Sequence, residues 1–268
     1  MSYSLSLEDR KQQFEAENIK FGKTVPAFTV LELEKELGYK TKKLALFEDK
    51  LSPLDVIGLA HRKSIDYVIQ NSLQSFSEKV KVLGAIDRNP QSYYKEDFTF
   101  FAKPVGKHKI IFDSKTPRKT IVNLCFHRLQ INIDTNRSHN LKTVLEELIM
   151  NAQIDAPSLG NGKGFLKSTL ILEKVDKLIA VSIIDLYGTL TYSKFIGQIE
   201  SVLNLGVSVA MNQNRQRGAG IGSSIIYNAA ESLYLGCLPN EKTRVTAIVP
   251  FGLSEANQEK LQKSIFLL

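Results

Sequence analysis

Three polar residues, Glu147, Asn151 and Asp155, follow one another at intervals of four within Leu141-Lys-Thr-Val-Leu-Glu-Glu-Leu-Ile-Met-Asn-Ala-Gln-Ile-Asp155. In a helix that spacing stacks each side chain above the last, with a drift of about 40° per step. Leu141, Val144, Leu145, Leu148, Ile149 and Ala152 recur at helical spacing in the same stretch, which therefore reads as one helix with a core face. The polar stripe runs along the border of that face, where a carboxylate and an amide need polar partners. Either it braces neighbouring loops or it forms one wall of a site. A single amide oxygen such as that of Asn151, completed by phosphate oxygens and water, is an adequate Mg2+ site, because this ion takes oxygen ligands and keeps several waters. Glu147 lies one turn earlier, within reach of a water beside a terminal phosphate.

Other stretches carry chemistry further along. Ile183-Ile-Asp185-Leu-Tyr-Gly188 places an aspartate at the end of a strand, and Gly218-Ala-Gly220-Ile-Gly222 opens a helix. Thr243-Arg-Val-Thr-Ala-Ile-Val-Pro250 reads as a final strand entered by a threonine. Gly218, Gly220 and Gly222 let the backbone approach a phosphate closely, and the helix N-terminus that they open favours an anion. A glycine triplet alone is also simply a flexible turn. Arg215 and Arg217 precede it, and Lys163 lies in Gly160-Asn-Gly-Lys-Gly164. All three are cations suited to neutralising phosphate, and equally to a solvated surface.

Taken in this order, the four motifs over about residues 120–250 resemble the GHKL superfamily of ATP-binding domains, found in histidine kinases, anti-sigma-factor serine kinases, Hsp90-type chaperones, MutL-type repair proteins and type II topoisomerases. The resemblance implies an α/β fold, a two-layer α/β sandwich with a mixed sheet (the Bergerat ATP-binding fold), binding ATP or ADP with Mg2+. It implies that Glu147 is the general base or activates a phosphoacceptor, and that Asn151 is the metal ligand. Asp185 would accept a hydrogen bond from the adenine amino group, and Thr243 would join it through water. Gly188, Gly218, Gly220, Gly222, Lys163 and Arg217 would be further nucleotide contacts. The second motif departs from the family pattern, which has glycine two and four residues after the aspartate. Tyr187 and Thr189 occupy those positions, with Gly188 between them. The backbone near adenine is expected to run differently, with Tyr187 packed where glycine normally permits close approach.

The elements that position these residues can be read from periodicity. A polar arm over residues 1–23 precedes strands at 24–30, 43–47 and 65–69 that alternate with helices at 31–37, 54–62 and 76–86. This order, including Ile65-Asp-Tyr-Val-Ile69, resembles the last part of a bacterial response-regulator receiver. Gln70 and Asn71 stand where the receiver lysine is expected, so the resemblance implies a degenerate module for docking or dimerisation that does not accept phosphate. The alternative is a small α/β extension covering a sheet edge. Asp87-Arg-Asn-Pro90 is a turn cluster, dividing the chain into an arm (1–23), a small α/β domain (24–88) and the ATP-binding domain (89–268). Short strands are expected at 98–101, 109–112, 120–126 and 128–133, then at 168–172 and 178–184. Helices follow at 192–203 and 220–231, a hairpin at 233–238 and 244–249, and a short helix ends the chain.

With 268 residues, 43% of them hydrophobic, the chain can bury a core. Its start lacks the pattern of a signal peptide, and no apolar run approaches the roughly 18 residues of a spanning helix, so a cytoplasmic protein without membrane contact is expected. Cys125 and Cys237 are too few for a zinc site or a disulfide framework. The net charge of +7 is densest over residues 103–119, which hold six lysines and arginines against Asp113. No recognition helix or zinc-finger pattern accompanies them, so nucleic acid is not the expected partner. His61, His108, His127 and His139 all lack the setting of a phosphoacceptor. The reading is therefore a bacterial signalling protein that uses Mg-ATP on, or to dock, a separate protein partner, as a kinase or ATPase, with a homodimer as one arrangement. The competing readings are a non-catalytic interaction module on a degenerate GHKL fold and a phosphotransfer scaffold that has lost ATP binding.

Overall fold

Apolar residues run almost continuously on either side of the charged turn at Asp176 and Lys177, as in strands buried on both faces, and this stretch forms two antiparallel strands of one mixed sheet. A computed structural model describes residues 29–33, 42–47, 50–62, 65–133, 135, 138–159, 166–209, 221–253, 257 and 260–268. Among them nine strands are formed: β1 (Thr29–Leu33), β2 (Lys42–Phe47), β3 (Tyr67–Gln70), β4 (Gly106–Phe112), β5 (Ser168–Val175), β6 (Leu178–Asp185), β7 (Ser232–Leu238), β8 (Lys242–Pro250) and β9 (Ser264–Leu267). They lie side by side in the order β1-β2-β3-β9-β7-β8-β6-β5-β4. Pairing is parallel between β2 and β3 and between β7 and β9, and antiparallel elsewhere.

Among the described residues the longer helices beside the sheet are α1 (Pro53–Arg62), α2 (Phe76–Arg88), α3 (Arg118–Leu129), α4 (His139–Met150), α5 (Tyr192–Leu205) and α6 (Gly222–Ala229). Apolar residues of α1, α3, α4, α5 and α6 share one core with Val68, Leu172, Val181, Leu233, Leu235 and Val249 of the sheet. Tyr67, Ala180, Tyr234, Ile248 and Phe266 point the other way, as the period of two requires. They pack under α2 and an aromatic segment containing Tyr93, Phe98 and Phe100. Ser75 and Glu78 form a capping box that starts α2.

Several expectations are corrected. A two-layer sandwich is too simple, because the central strands are covered on both faces and all eight residues of β6 are buried. Residues 120–126 and 128–133 do not form strands: 118–129 is helix α3, since Ile121, Val122, Cys125, Phe126 and Leu129 make a helical stripe that the core accepts. Residues 98–101 are irregular and fold back as part of the aromatic layer. The chain ends in β9, inserted between β3 and β7, instead of a helix. Residues 31–33 belong to β1; the remainder of the expected helix at 31–37 and the arm at 1–23 lie outside the described residues. The sheet also runs unbroken across residues 88 and 89, because β3 bonds to β9 from the far end of the chain.

Candidate functional site

The polar stripe of α4 meets the sheet at a cavity of about 1070 Å³. Helix α4 does not continue regularly: residues Asn151–Asp155 form a turn of π-helix before a last helical turn, Ala156–Leu159. Such wide turns recur at functional sites. This one is held by Gln153, whose Nε2 donates to the carbonyls of Asp113 and Thr116, each at 2.8 Å. Glu147, Asn151 and Asp155 all line the cavity, so the four-residue stripe survives the widening.

The opposite wall comes from the sheet. Asp185 ends β6 and faces Thr243 in the β6–β8 register, so the two are cross-strand neighbours. Both line the cavity, together with the apolar side chains of Ile183, Val245 and Phe195. Gly222, at the start of α6, closes a third side. A Cβ at Gly222 would collide with the Glu147 carboxylate, so the glycine permits that carboxylate to rest against the helix N-terminus. Five of the residues selected from the sequence, Glu147, Asn151, Asp185, Gly222 and Thr243, thus meet in one place, from four separate motifs. The volume lies just above the range usual for ligand pockets, about 300–1,000 Å³.

Gly188 does not line this cavity. Its φ of 63° lies in the left-handed region, and a Cβ there would strike the backbone of the hairpin turn at Leu238, Asn240 and Glu241. Its carbonyl accepts from the Asn240 amide at 3.0 Å, which gives this glycine a structural reason. The departure at Tyr187 is visible: its ring is buried, and its hydroxyl accepts from the Leu166 amide at 2.8 Å. Lys163, Arg215, Arg217, Gly218 and Gly220 lie outside the described residues.

Electrostatically the site is acidic and partly dry. Burial pushes the Glu147 carboxyl above the usual range; Arg118 opposes this, while Glu146 and Asp155 add to it. Burial also raises Asp155, against the pull of Lys194. Asp185 Oδ1 accepts from the amides of Tyr187 at 2.9 Å and Gly188 at 3.4 Å, so this carboxylate also shapes its own turn. Glu147 Oε2 and Thr243 Oγ1 are buried without a hydrogen-bond partner. The Thr243 hydroxyl comes near the Cys237 thiol and counteracts the rise that burial causes there, but without ordinary hydrogen-bond geometry.

Lys194, Gln198, Thr189 and Ser223 also line the cavity and were not singled out in the sequence. Ser223 Oγ donates to Gln198 Oε1 at 3.2 Å, tying α6 to α5. The available signal was the spacing of Lys194 and Gln198, one turn apart beside the buried Phe195 and Ile199 of α5. None of the four histidines lines the cavity. His61 instead pairs with Glu200 at 2.6 Å, joining α1 to α5.

Among the described residues no group of three or more His, Cys, Asp or Glu side chains is arranged to hold a metal. A cation beside Asn151 would therefore need oxygens from a ligand. The orphaned Glu147 and Thr243 oxygens and the Asn151 amide make an oxygen-rich lining that fits a magnesium–nucleotide complex better than a metal bound by protein alone. Among the described residues no helix is long and apolar enough to cross a membrane. The sequence matches no protein-family model and no curated protein.

Proposed function

We propose that the cavity binds Mg-ATP, and that the protein is a GHKL-type nucleotide-binding protein of bacterial signalling acting on, or docking to, a separate protein partner. The supporting observation is the convergence of Glu147, Asn151, Asp185, Gly222 and Thr243 on one cavity. In this reading Asn151 supplies an amide oxygen to Mg2+, and the bound ion neutralises phosphate charge. Asp185 and Thr243 form the adenine end, on the apolar wall of Ile183 and Val245. Glu147 takes the proton of the attacking water or hydroxyl. Burial raises its pKa, which brings a carboxylate closer to the strength a base needs near neutral pH.

A non-catalytic reading has its own support, because Asp185 Oδ1 is already engaged by the Tyr187 and Gly188 amides. Calorimetric titration of the full chain with Mg-ATP and Mg-ADP separates the two. Binding is expected, with Asn151→Ala and Asp185→Asn each weakening it about tenfold or more. The Asp185→Asn change keeps an acceptor for the two amides while altering what the cavity sees. No binding by the unmodified chain would refute the nucleotide reading. Binding without turnover, unaffected by Glu147→Ala, would select the non-catalytic module.

A further inference from the structure

The positive charge of this protein is concentrated in one place. Residues 103–133 hold seven of the chain's 35 lysines and arginines and one of its 28 acidic residues, Asp113. Six of the seven net positive charges therefore belong to β4, helix α3 and their flanks, and the rest of the chain is close to neutral. In the fold this stretch forms one border of the molecule, since β4 is the last strand of the sheet. Lys103, Lys115, Arg118, Lys119 and Arg128 are all exposed.

Among the described residues the border is also an open strand. β4 pairs with β5, and no other described strand lies beyond it. Edge strands are usually guarded by charged side chains that make an incoming strand costly. Here both candidate guards are exposed, but each is already engaged by a neighbour in the same chain. Lys107 Nζ donates to the Phe98 carbonyl at 3.1 Å and lies 3.9 Å from Glu173. Lys109 is paired with Glu96. On the same face as these lysines Val105 is 81% exposed and Ile111 55% exposed, so the edge offers apolar contacts at each end.

We infer that the β4 edge receives an extended acidic segment of a partner protein, which adds to the sheet as a strand while its carboxylates face the exposed cations of β4, α3 and their flanks. Backbone hydrogen bonds give such an interaction its affinity, and side chains at alternate positions give its specificity. Cations at both ends of the strand speed encounter and set the sign of the partner. This inference does not rest on the nucleotide reading: none of the exposed cations lines the cavity, and Arg118, which acts on Glu147, is left unchanged in the test.

The test uses the full chain and a fluorescently labelled nine-residue peptide alternating glutamate with valine and threonine. Binding is expected by anisotropy, with slowed exchange of the β4 amides. Charge reversal at Lys103, Lys115 and Lys119 together is expected to weaken it about tenfold, with thermal melting unchanged. A peptide of equal charge with proline at every third position is expected to bind at least about tenfold more weakly, because proline cannot complete the ladder. Equal binding of the proline peptide would overturn strand addition. Tighter binding of a single-stranded oligonucleotide, lost in the same triple variant, would make the border a nucleic-acid surface instead. No binding of the acidic peptide, or unchanged exchange at β4, would also refute the inference.

Discussion

Thr243 and Arg244 are neighbours on β8 that point to opposite faces of the sheet, and their surroundings differ in kind. Arg244 is wholly buried. Its Nη1 donates to the carbonyls of Tyr93 at 2.6 Å and Lys95 at 2.8 Å, and Nη2 donates to Ser182 Oγ at 3.0 Å. The rings of Tyr93, Phe98 and Phe100 surround the guanidinium at 5.1–5.5 Å. The cage leaves only Nε of this side chain unmatched. Thr243, one residue earlier, lines the cavity and has a buried hydroxyl without a hydrogen-bond partner, as Glu147 Oε2 is on another wall of the same cavity. A buried polar group that the chain itself satisfies holds the fold together, whereas orphaned groups around a cavity mark where the chain leaves room for another molecule.

The largest effect that could break this contrast is at Arg244. In Arg244→Met the carbonyls of Tyr93 and Lys95 each lose the guanidinium donor, Lys95 keeping only the longer bond from the Phe98 amide, and the buried Glu173 loses a nearby positive charge. Removing one partner of such a buried assembly costs roughly 3–5 kcal/mol. Chemical denaturation is expected to show that loss, and a change below about 1 kcal/mol would mean that the cage does not hold the aromatic layer.

A second closed assembly gives a smaller, pH-dependent effect. Lys79 Nζ donates to the Gln70 carbonyl and to Ser72 and Ser264, at 2.8, 2.9 and 3.1 Å. Lys263 Nζ donates to the carbonyls of Asn228 and Ala230 at 2.7 and 2.6 Å, with Glu231 buried between the two lysines in sequence and acting on both. Burial lowers each lysine to about 8 despite that carboxylate. Above pH 8 the folded chain releases protons that the unfolded chain still binds, so stability rises with pH; below pH 8 both states are protonated and the slope disappears. Burial holds the Cys125 thiol and the Tyr192 hydroxyl up at about 12, so the folded chain keeps protons that the unfolded chain loses above about pH 9 at the thiol and about pH 10 at the hydroxyl, and the rise flattens. The unfolding free energy from urea titrations is expected to rise between pH 8 and 9 by up to about 2 kcal/mol, and Lys79→Met to halve the rise. A flat profile in the unmodified chain would mean that these ammonium groups are not desolvated.

The two sides of the molecule were not equally legible in the sequence. The cavity wall could be read because Glu147 and Asn151 border the core face of a periodic helix, and because the order of the motifs that resembles the GHKL superfamily picks out Asp185 and Thr243 beside them. Strands β5 to β8 stand out as apolar runs, and helices α4 and α5 as helical stripes. The closed assemblies could not be read, because arginine and lysine are ordinarily surface residues. Nothing local to Arg244 or Lys79 reports that aromatic rings or β9 will cover them. Helix α3 was misread because Thr120, Ile121 and Val122 are β-branched and favour strands. The spacing of 121, 122, 125, 126 and 129 is helical, and burial of that stripe outweighed the local preference. Strand β9 has four residues, and its partners lie in β3 and β7, so its conformation is decided by distant pairing.

The sharpest test of the contrast is also the one with the least effect on stability. Thr243→Val keeps the size and β-branching of the side chain and removes a hydroxyl that has no hydrogen-bond partner in the fold. Deleting an unmatched buried hydroxyl carries no hydrogen-bond loss and relieves a desolvation cost, so stability is expected to stay level or rise by at most about 1 kcal/mol. Mg-ATP affinity, measured by calorimetry on the same preparation, is expected to fall about tenfold. The neighbouring Arg244→Met would then destabilise the fold and Thr243→Val would affect only the ligand. If the valine variant instead loses 2 kcal/mol or more of stability, the hydroxyl already has a partner inside the chain, and Thr243 belongs with Arg244 among the groups that hold the sheet together.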